Sequence, residues 1–435
     1  MGAFRNFKIE VNQVFLKSDT NNLTRNSVKG GAYTLASTLI SFIVNILRTL
    51  VLARLLAPSD FGLIGMVTVI VGFIAMFKDA GLSTATIQKD TITNQQISNL
   101  AWYNMLVSTG LGLLIVLISP LIAAFYSKPE LTLVSMALAV SFIAEGLFIQ
   151  HKALLQRSLR FDTLTLISVS SNTTGVVVAI VSAMFGLKYW SLVMGQVAAT
   201  ITDCMLTFAF CKWIPLAYDK KIRVDGMFKF GLNIVLSNLV NYFARNADSF
   251  IIGKFCGAHQ LGIYSKSYQL FRLPTNNILS PIRNVALPAL SSIQTNELQF
   301  VKYYKSIIAL TATLIFPISI YFYFEADFLI PFILGNQWVA AVPIFQLLAL
   351  GGIVQPITGQ SGIVMVATGN SKRYLNWQLI YSFTLVVSFF IGIQYGVRGL
   401  AMAYVIAEFL LFVPGLFYTY KNTFIKPKRS EEHTS

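Results

Sequence analysis

Two stretches of this chain, TLISFIVNILR (residues 38–48) and NLVNYFARNAD (residues 238–248), decide how the rest is read. Each is an apolar run crossed by a polar stripe: Thr38, Ser41, Asn45 and Arg48 in the first, Asn238, Asn241, Arg245 and Asp248 in the second. The 3, 4, 3 spacing puts each set on one face of a helix. The stripes stand in register at an offset of 200 residues, and their flanks agree in Gly31 and Gly231, Ser37 and Ser237, Leu39 and Leu239, Gly62 and Gly262. The pattern predicts two related halves, each opening with a membrane helix that turns a polar face toward water.

Composition supports the membrane reading independently of any motif. Of 435 residues, 55% are hydrophobic and 12% charged, about half the charge of an ordinary globular chain; mean hydropathy is +0.65. Residues 1–29 carry Arg5, Lys8, Lys17, Arg25 and Lys29 and no short apolar core before a cleavage site, so they read as a cytoplasmic N-terminal segment rather than a leader. The three cysteines, Cys204, Cys211 and Cys256, fall in or beside apolar runs and predict neither a disulfide framework nor a metal site. The net charge of +15 would suggest nucleic acid on a soluble protein. Here no basic run is interleaved with stacking aromatics on a soluble domain, which excludes nucleic-acid binding.

Spanning helices need about 20 mostly apolar residues. On that criterion the sequence predicts an all-α polytopic membrane protein of about twelve helices, at roughly 30–52, 61–78, 99–125, 131–150, 163–186, 189–211, 227–252, 260–283, 304–326, 338–367, 374–394 and 398–420. The 338–367 run is interrupted by Gly351, Gly352, Pro356, Gly359 and Gly362, and reads as a broken or tilted helix. Lys and Arg concentrate in alternate connections, 23 of the 33 on one side, which predicts both termini inside. The division is then an N-terminal six-helix lobe (30–212), a cytoplasmic inter-lobe loop (213–226), a C-terminal six-helix lobe (227–420) and a cytoplasmic tail (421–435) whose last residues read as truncated or non-native. Six spans per half is even, so the repeat is parallel around a central cavity. Gly186-Leu187-Lys188 and Gly396-Val397-Arg398 echo one another before the last span of each half.

A charged side chain near the bilayer centre costs at least about 2.5–3.5 kcal/mol, so several in one bundle must face one another or water. The seventh span offers Asn238, Asn241, Arg245 and Asp248; the eighth offers Lys266, Gln269, Arg272, Asn276 and Arg283; the first adds Asn45 and Arg48. Five cations thus meet one anion, Asp248. Pro274 and Pro281 are expected to kink the eighth span and free backbone carbonyls, as suits a cavity wall. The functional reading is a hydrated, positive cavity in which arginine forks hold phosphate oxygens and amides hold sugar hydroxyls. The structural alternative is that Arg48 and Lys266 reach the membrane surface, that Arg245 pairs only with Asp248, and that Arg283 is an interfacial anchor. Glu145, Asp203 and Glu408 are the other acids in apolar runs and the candidates for ion coupling. The aromatics, among them Trp102, Tyr103, Trp190, Trp213 and Trp338, read as lipid-facing or belt residues. No Gly-rich phosphate loop, carboxylate pair or His/Cys cluster supports a catalytic site; the sequence calls for no enzyme activity, cofactor or metal.

The chain resembles the polysaccharide-transport, Wzx-like branch of the multidrug/oligosaccharidyl-lipid/polysaccharide (MOP) flippase superfamily. Four stretches carry the resemblance: Leu52 through Gly62 (LARLLAPSDFG); Asp79 through Gln88 with Trp102-Tyr103-Asn104; Ala153 through Arg157 to Phe161; and Arg245-Asn246-Ala247-Asp248, Ile252-Gly253, Leu261 through Tyr264, Pro274 and Leu287 through Ser291. The resemblance implies two lobes around a V-shaped cavity, alternating access, and a polyprenyl-pyrophosphate-linked oligosaccharide as substrate: a lipopolysaccharide or exopolysaccharide repeat unit crossing the bacterial inner membrane. The partners it implies are that lipid-linked oligosaccharide, membrane lipid, and a glycan polymerase or glycosyltransferase complex. A drug or cation exporter of the same fold is the competing reading, and a membrane-embedded glycan polymerase or transferase the third. Many relatives carry two further C-terminal helices; twelve spans are predicted here, and the truncated character of the tail leaves open whether the natural chain continues with further helices.

Overall fold

The computed structural model describes residues 23–79, 81–89, 91–221 and 225–421. The N-terminal segment before Leu23 and the tail after Lys421 lie outside the described residues, as do the side chains of Asn238, Asn241 and Asn276. What is described is helical, with no strand among the described residues.

The long helices fall where the apolar runs predict them. They are α1 (Leu23–Leu55), α2 (Pro58–Ala75), α4 (Asn94–Tyr126), α5 (Glu130–Arg157), α6 (Phe161–Met184), α7 (Tyr189–Phe210), α8 (Asp225–Ser292), α9 (Glu297–Phe324), α11 (Val342–Ala367), α12 (Ser371–Gly392) and α13 (Gly396–Tyr420). Two short helices, α3 (Leu82–Gln88) and α10 (Ala326–Leu334), were not expected from hydropathy. Among the described residues, nine stretches are long and apolar enough to cross a membrane. The irregularity expected at the glycines and proline of 338–367 lies at its start instead: α10 ends at Leu334 before Gly335 (φ +102°), a 3₁₀ segment spans Asn336–Ala341, and α11 runs unbroken through Pro356.

The seventh and eighth predicted spans are one helical run, α8, bent at Gly257. Its φ of 80° and ψ of 177° are open to glycine and strained for any other residue. The second arm also runs on to Ser292 rather than stopping near 283, and Pro274, Pro281 and Pro288 stay inside it. Around Pro274 side chains take up neighbouring backbone carbonyls, Thr275 Oγ1 donating to Phe271 O (3.2 Å) and Asn277 Nδ2 to Leu273 O (2.6 Å).

The chain divides into two compact units, Met1–Phe243 and Ala244–Ser435, so that the division falls inside α8. Each unit repeats one packing order. In the first, α4 packs on α5, α5 on α7, and α6 on α7; in the second, α9 packs on α11, α11 on α13, and α12 on α13. The turns before α7 and α13 repeat as well, with Gly186 (φ +77°) and Gly396 (φ +73°) in the left-handed region.

The recurring motifs of the first unit are structural. Asp79 carboxylate oxygens accept from the Ser83 amide (3.0 Å) and hydroxyl at the start of α3. At its other end, Arg157 Nη1 donates to the carbonyls of Thr86 and Lys89, each at 2.7 Å. The segment after α7 is strapped across the start of α4. Asn99 pairs with the backbone of Asp219 in both directions (2.8 and 3.1 Å), and Trp102 Nε1 donates to Leu216 O (2.8 Å). Two tryptophans expected at the lipid belt are core residues instead: Trp338 is 0% exposed, and Trp213 is buried with its Nε1 donating to Asn94 Oδ1 (2.8 Å).

Candidate functional site

The bend at Gly257 lays the second arm of α8 back along the first. Asp248 and Tyr264, nine residues before and seven after the bend, meet through a 2.8 Å bond from the Tyr264 hydroxyl to Asp248 Oδ2. The Ser249 amide donates to Oδ1 at 2.6 Å. Asp248 is buried and has both oxygens engaged, so it is not the ion-pair partner of Arg245 that an i, i+3 reading would give.

Above this contact lies a cavity of about 470 Å³, lined wholly by α8 within the second unit. Arg245 and Asp248 come from the first arm, Gln269 and Arg272 from the second. Neither arginine makes an ion pair with a described residue. Tyr264 and Tyr268 stack with ring centroids 5.9 Å apart and planes at 9°. The Arg272 guanidinium stands 5.2 Å from the Tyr268 ring centroid, a cation–π contact that fixes the fork without consuming its N–H donors. The cavity therefore offers two guanidinium groups, amides from Gln269 and Asn277, and flat aromatic faces.

Of the residues expected at the site, Arg245, Asp248, Gln269 and Arg272 are brought together. Lys266 stands beside the lining, its Nζ donating to Gln269 Oε1 (2.8 Å). Asn45 and Arg48 belong to the first unit, where the Asn45 amide donates to its own helix at Ser41 O (2.8 Å). Asn241 belongs to the first unit and Asn276 to the second, and the side chains of both lie outside the described set. Sequence reading missed the tyrosines, Asn246, Ser249, Ser265 and Asn277. Tyr264 and Tyr268 did carry a signal, since they share the 3–4 periodicity of Lys266, Gln269 and Arg272 on the same arm.

The three acids separate cleanly. Glu145 is ion-paired with Lys78, whose ammonium also sits 5.5 Å from the Phe142 ring centroid. Asp203 is ion-paired with Lys152 at 2.6 Å. Glu408 is 0% exposed and has no cation partner among the described residues. The Tyr381 hydroxyl donates to its Oε1, and the hydroxyl of Tyr404, one turn earlier, is buried close to the same carboxylate.

The polysaccharide biosynthesis protein family matches residues 51–343. This chain belongs to that family. It is 29% identical over 397 residues to the teichuronic acid biosynthesis protein TuaB of Bacillus subtilis (strain 168), covering 91% of this chain and 82% of TuaB. It is 22% identical over 394 residues to the lipopolysaccharide biosynthesis protein WzxC of Escherichia coli (strain K12), covering 89% and 80%. Among solved structures, the lipid II flippase MurJ in an inward closed conformation superposes with a TM-score of 0.70 at 16% identity, covering 90% of this chain and 87% of that one. An inward-facing multidrug transporter of the MATE family superposes with a TM-score of 0.69 at 13% identity, covering 88% and 94%. This family member thus shares the fold of those two transporters, and its apolar helices make it a multi-pass membrane protein.

Proposed function

We propose that this protein is a flippase that moves a polyprenyl-pyrophosphate-linked oligosaccharide, a repeat unit of lipopolysaccharide or exopolysaccharide, across the bacterial inner membrane by alternating access of two six-helix lobes. One observation carries the reading: the cavity of α8 presents Arg245 and Arg272 without ion-pair partners, beside an Asp248 already engaged by Tyr264 and Ser249. Two guanidinium forks with spare donors suit the oxygens of a diphosphate, and neighbouring amides and tyrosine faces suit the adjoining sugar. The names of the relatives, which refer to bacterial surface polysaccharides, support the same substrate class. An exporter of cationic drugs on this fold would face like charge in the cavity, which argues against it despite the shared architecture. Both termini are inside in this reading, and no catalytic step is assigned to the chain.

The test is export in a strain that depends on this protein. Arg272→Ala and Arg245→Ala are each expected to abolish glycan export while the amount of protein in the membrane stays normal. Unchanged export in both would remove the diphosphate clamp. For coupling we assign Glu408 in preference to Glu145 and Asp203, because the latter two are held by lysines. Glu408→Gln is expected to flatten the pH or Na⁺ dependence of transport, whereas Glu145→Gln and Asp203→Asn leave it in place. Transport assays in vesicles with imposed gradients read this directly.

A further inference from the structure

Arg283 is one of the five cations of the functional reading, with an interfacial anchor at the end of a span as its structural alternative; the structure does not leave it at the end of a helix. It lies within the second arm of α8, nine residues before the end at Ser292. Its Nε is buried with no hydrogen-bond partner, and its guanidinium makes no hydrogen bond or ion pair with any described residue. The group is seated on α11 at Gly359, where an added Cβ would overlap Nη2. One turn on, Gly362 accommodates the ring of Tyr374 from α12 in the same way. Tyr374 lies within electrostatic reach of Arg283 and takes a 2.9 Å bond from Gln378 Nε2.

Two further facts define what this seat is for. Arg283 follows Arg272 by eleven residues, three turns of one helix, so the two share a face about 16 Å apart along the axis. Arg245 and Arg272 also lie close enough for their charges to repel that of Arg283. Three cations therefore share one field in the second unit. A guanidinium held there, half-buried and without a counter-charge, is costly unless an anion visits it. A lipid-facing anchor would extend into the headgroups, and a structural arginine would have carbonyl partners as Arg157 does.

We propose that Arg283, seated in the notch at Gly359, is a second anion-binding station that takes the phosphate oxygens of the passenger at a depth different from Arg272. The inference rests on the flippase reading above and extends it. The headgroup is held first by one fork and then by the next along a single helix face, and the backbone at Gly359 sets the position of the second fork.

The experiment uses the full-length protein purified in detergent, with farnesyl pyrophosphate as the probe and binding followed by calorimetry and by thermal shift. Arg283→Gln is expected to weaken binding roughly tenfold, as loss of charge-assisted hydrogen bonds does. Arg283→Lys keeps the charge but not the fork, and Gly359→Ala keeps the arginine but displaces it; each is expected to weaken binding at least threefold. A merely long-range charge effect would leave both of these at wild-type affinity and overturns the station, as does wild-type affinity in Arg283→Gln alongside lost affinity in Arg272→Gln. In that last case the flippase reading stands. If wild-type protein binds no farnesyl pyrophosphate, both readings fall. A digalacturonate probe separates sources of negative charge: if Arg283→Gln weakens its binding and leaves that of farnesyl pyrophosphate unchanged, the station belongs to an acidic sugar and the phosphate assignment is overturned.

Discussion

The two units share a packing order and differ in what they do with polar groups at matching positions. Offset by 200 residues, Arg272 of the second unit corresponds to Gly72 of the first, and Tyr268 to Thr68. At Gly72 there is no side chain, and Tyr242 fills the space, its hydroxyl donating to Val69 O at 2.6 Å. The first unit holds several cations on its own groups: Lys78 with Glu145, Lys152 with Asp203, Arg157 on carbonyls at the end of α3. The second leaves the guanidinium groups of Arg245, Arg272 and Arg283 without ion-pair partners among the described residues, the first two of them lining a cavity. Among the described residues, one scaffold thus carries its ion pairs in the first half and three guanidinium groups without ion-pair partners in the second. That asymmetry favours the second unit for the proposed anion site more sharply than total charge does.

The turns that open each unit give the strongest way to break this comparison. At the first, Ala57 is extended (φ −71°, ψ 154°) and leads into Pro58, with the Ala57 amide donating to Asp60 Oδ2 at 3.0 Å. At the matching place in the second, Gly257 takes a conformation no other residue adopts without strain. Gly257→Ala is expected to cost about 1–3 kcal/mol in detergent unfolding and to weaken binding of a diphosphate lipid, because the arms of α8 part. Ala57→Gly is expected to cost at most about 1 kcal/mol, through chain entropy alone. Equal effects of the two would mean that the bend does not hold the cavity together.

The next effect in size belongs to the closed half. Asp203→Asn leaves Lys152 against a neutral amide in a partly buried setting, with side-chain exposures of 33% and 20%. A loss of about 1–2 kcal/mol is expected, with transport rate per folded molecule unchanged. A large change in transport at normal stability would show that the first unit's ion pairs are more than structural. The smallest effect sharpens the picture further: Tyr242→Phe, which removes one hydrogen bond to Val69 O, is expected to cost about 1 kcal/mol without altering diphosphate affinity.

Much of this was legible in residue order because hydropathy and helical periodicity act locally. The long helices, the repeat and the face bearing Arg245, Asp248, Gln269 and Arg272 all follow from spacing. What was not legible depends on tertiary contact. Nothing in the sequence distinguishes Trp338 at a membrane belt from Trp338 in a core, since the same residue satisfies both. The partners of Glu145 and Asp203 lie 67 and 51 residues away, beyond any local pattern. Arg283 looked terminal because an apolar count ends the span near it, whereas α8 continues to Ser292 on its packing, with Leu290 and Ala286 in a core beside Phe300 and Tyr304. The tyrosines were set aside because aromatic residues are so common in membrane helices; only the bend at Gly257 reveals which of them face inward.

Every residue lining the cavity falls between Arg245 and Asn277, on one folded-back helix. Such a site has low contact order, since its pieces are neighbours in the chain. Low contact order favours its formation early in folding, because no later segment contributes to its lining. Nascent chains arrested shortly after residue 292 already contain every residue that lines the cavity, before the last third of the sequence is made.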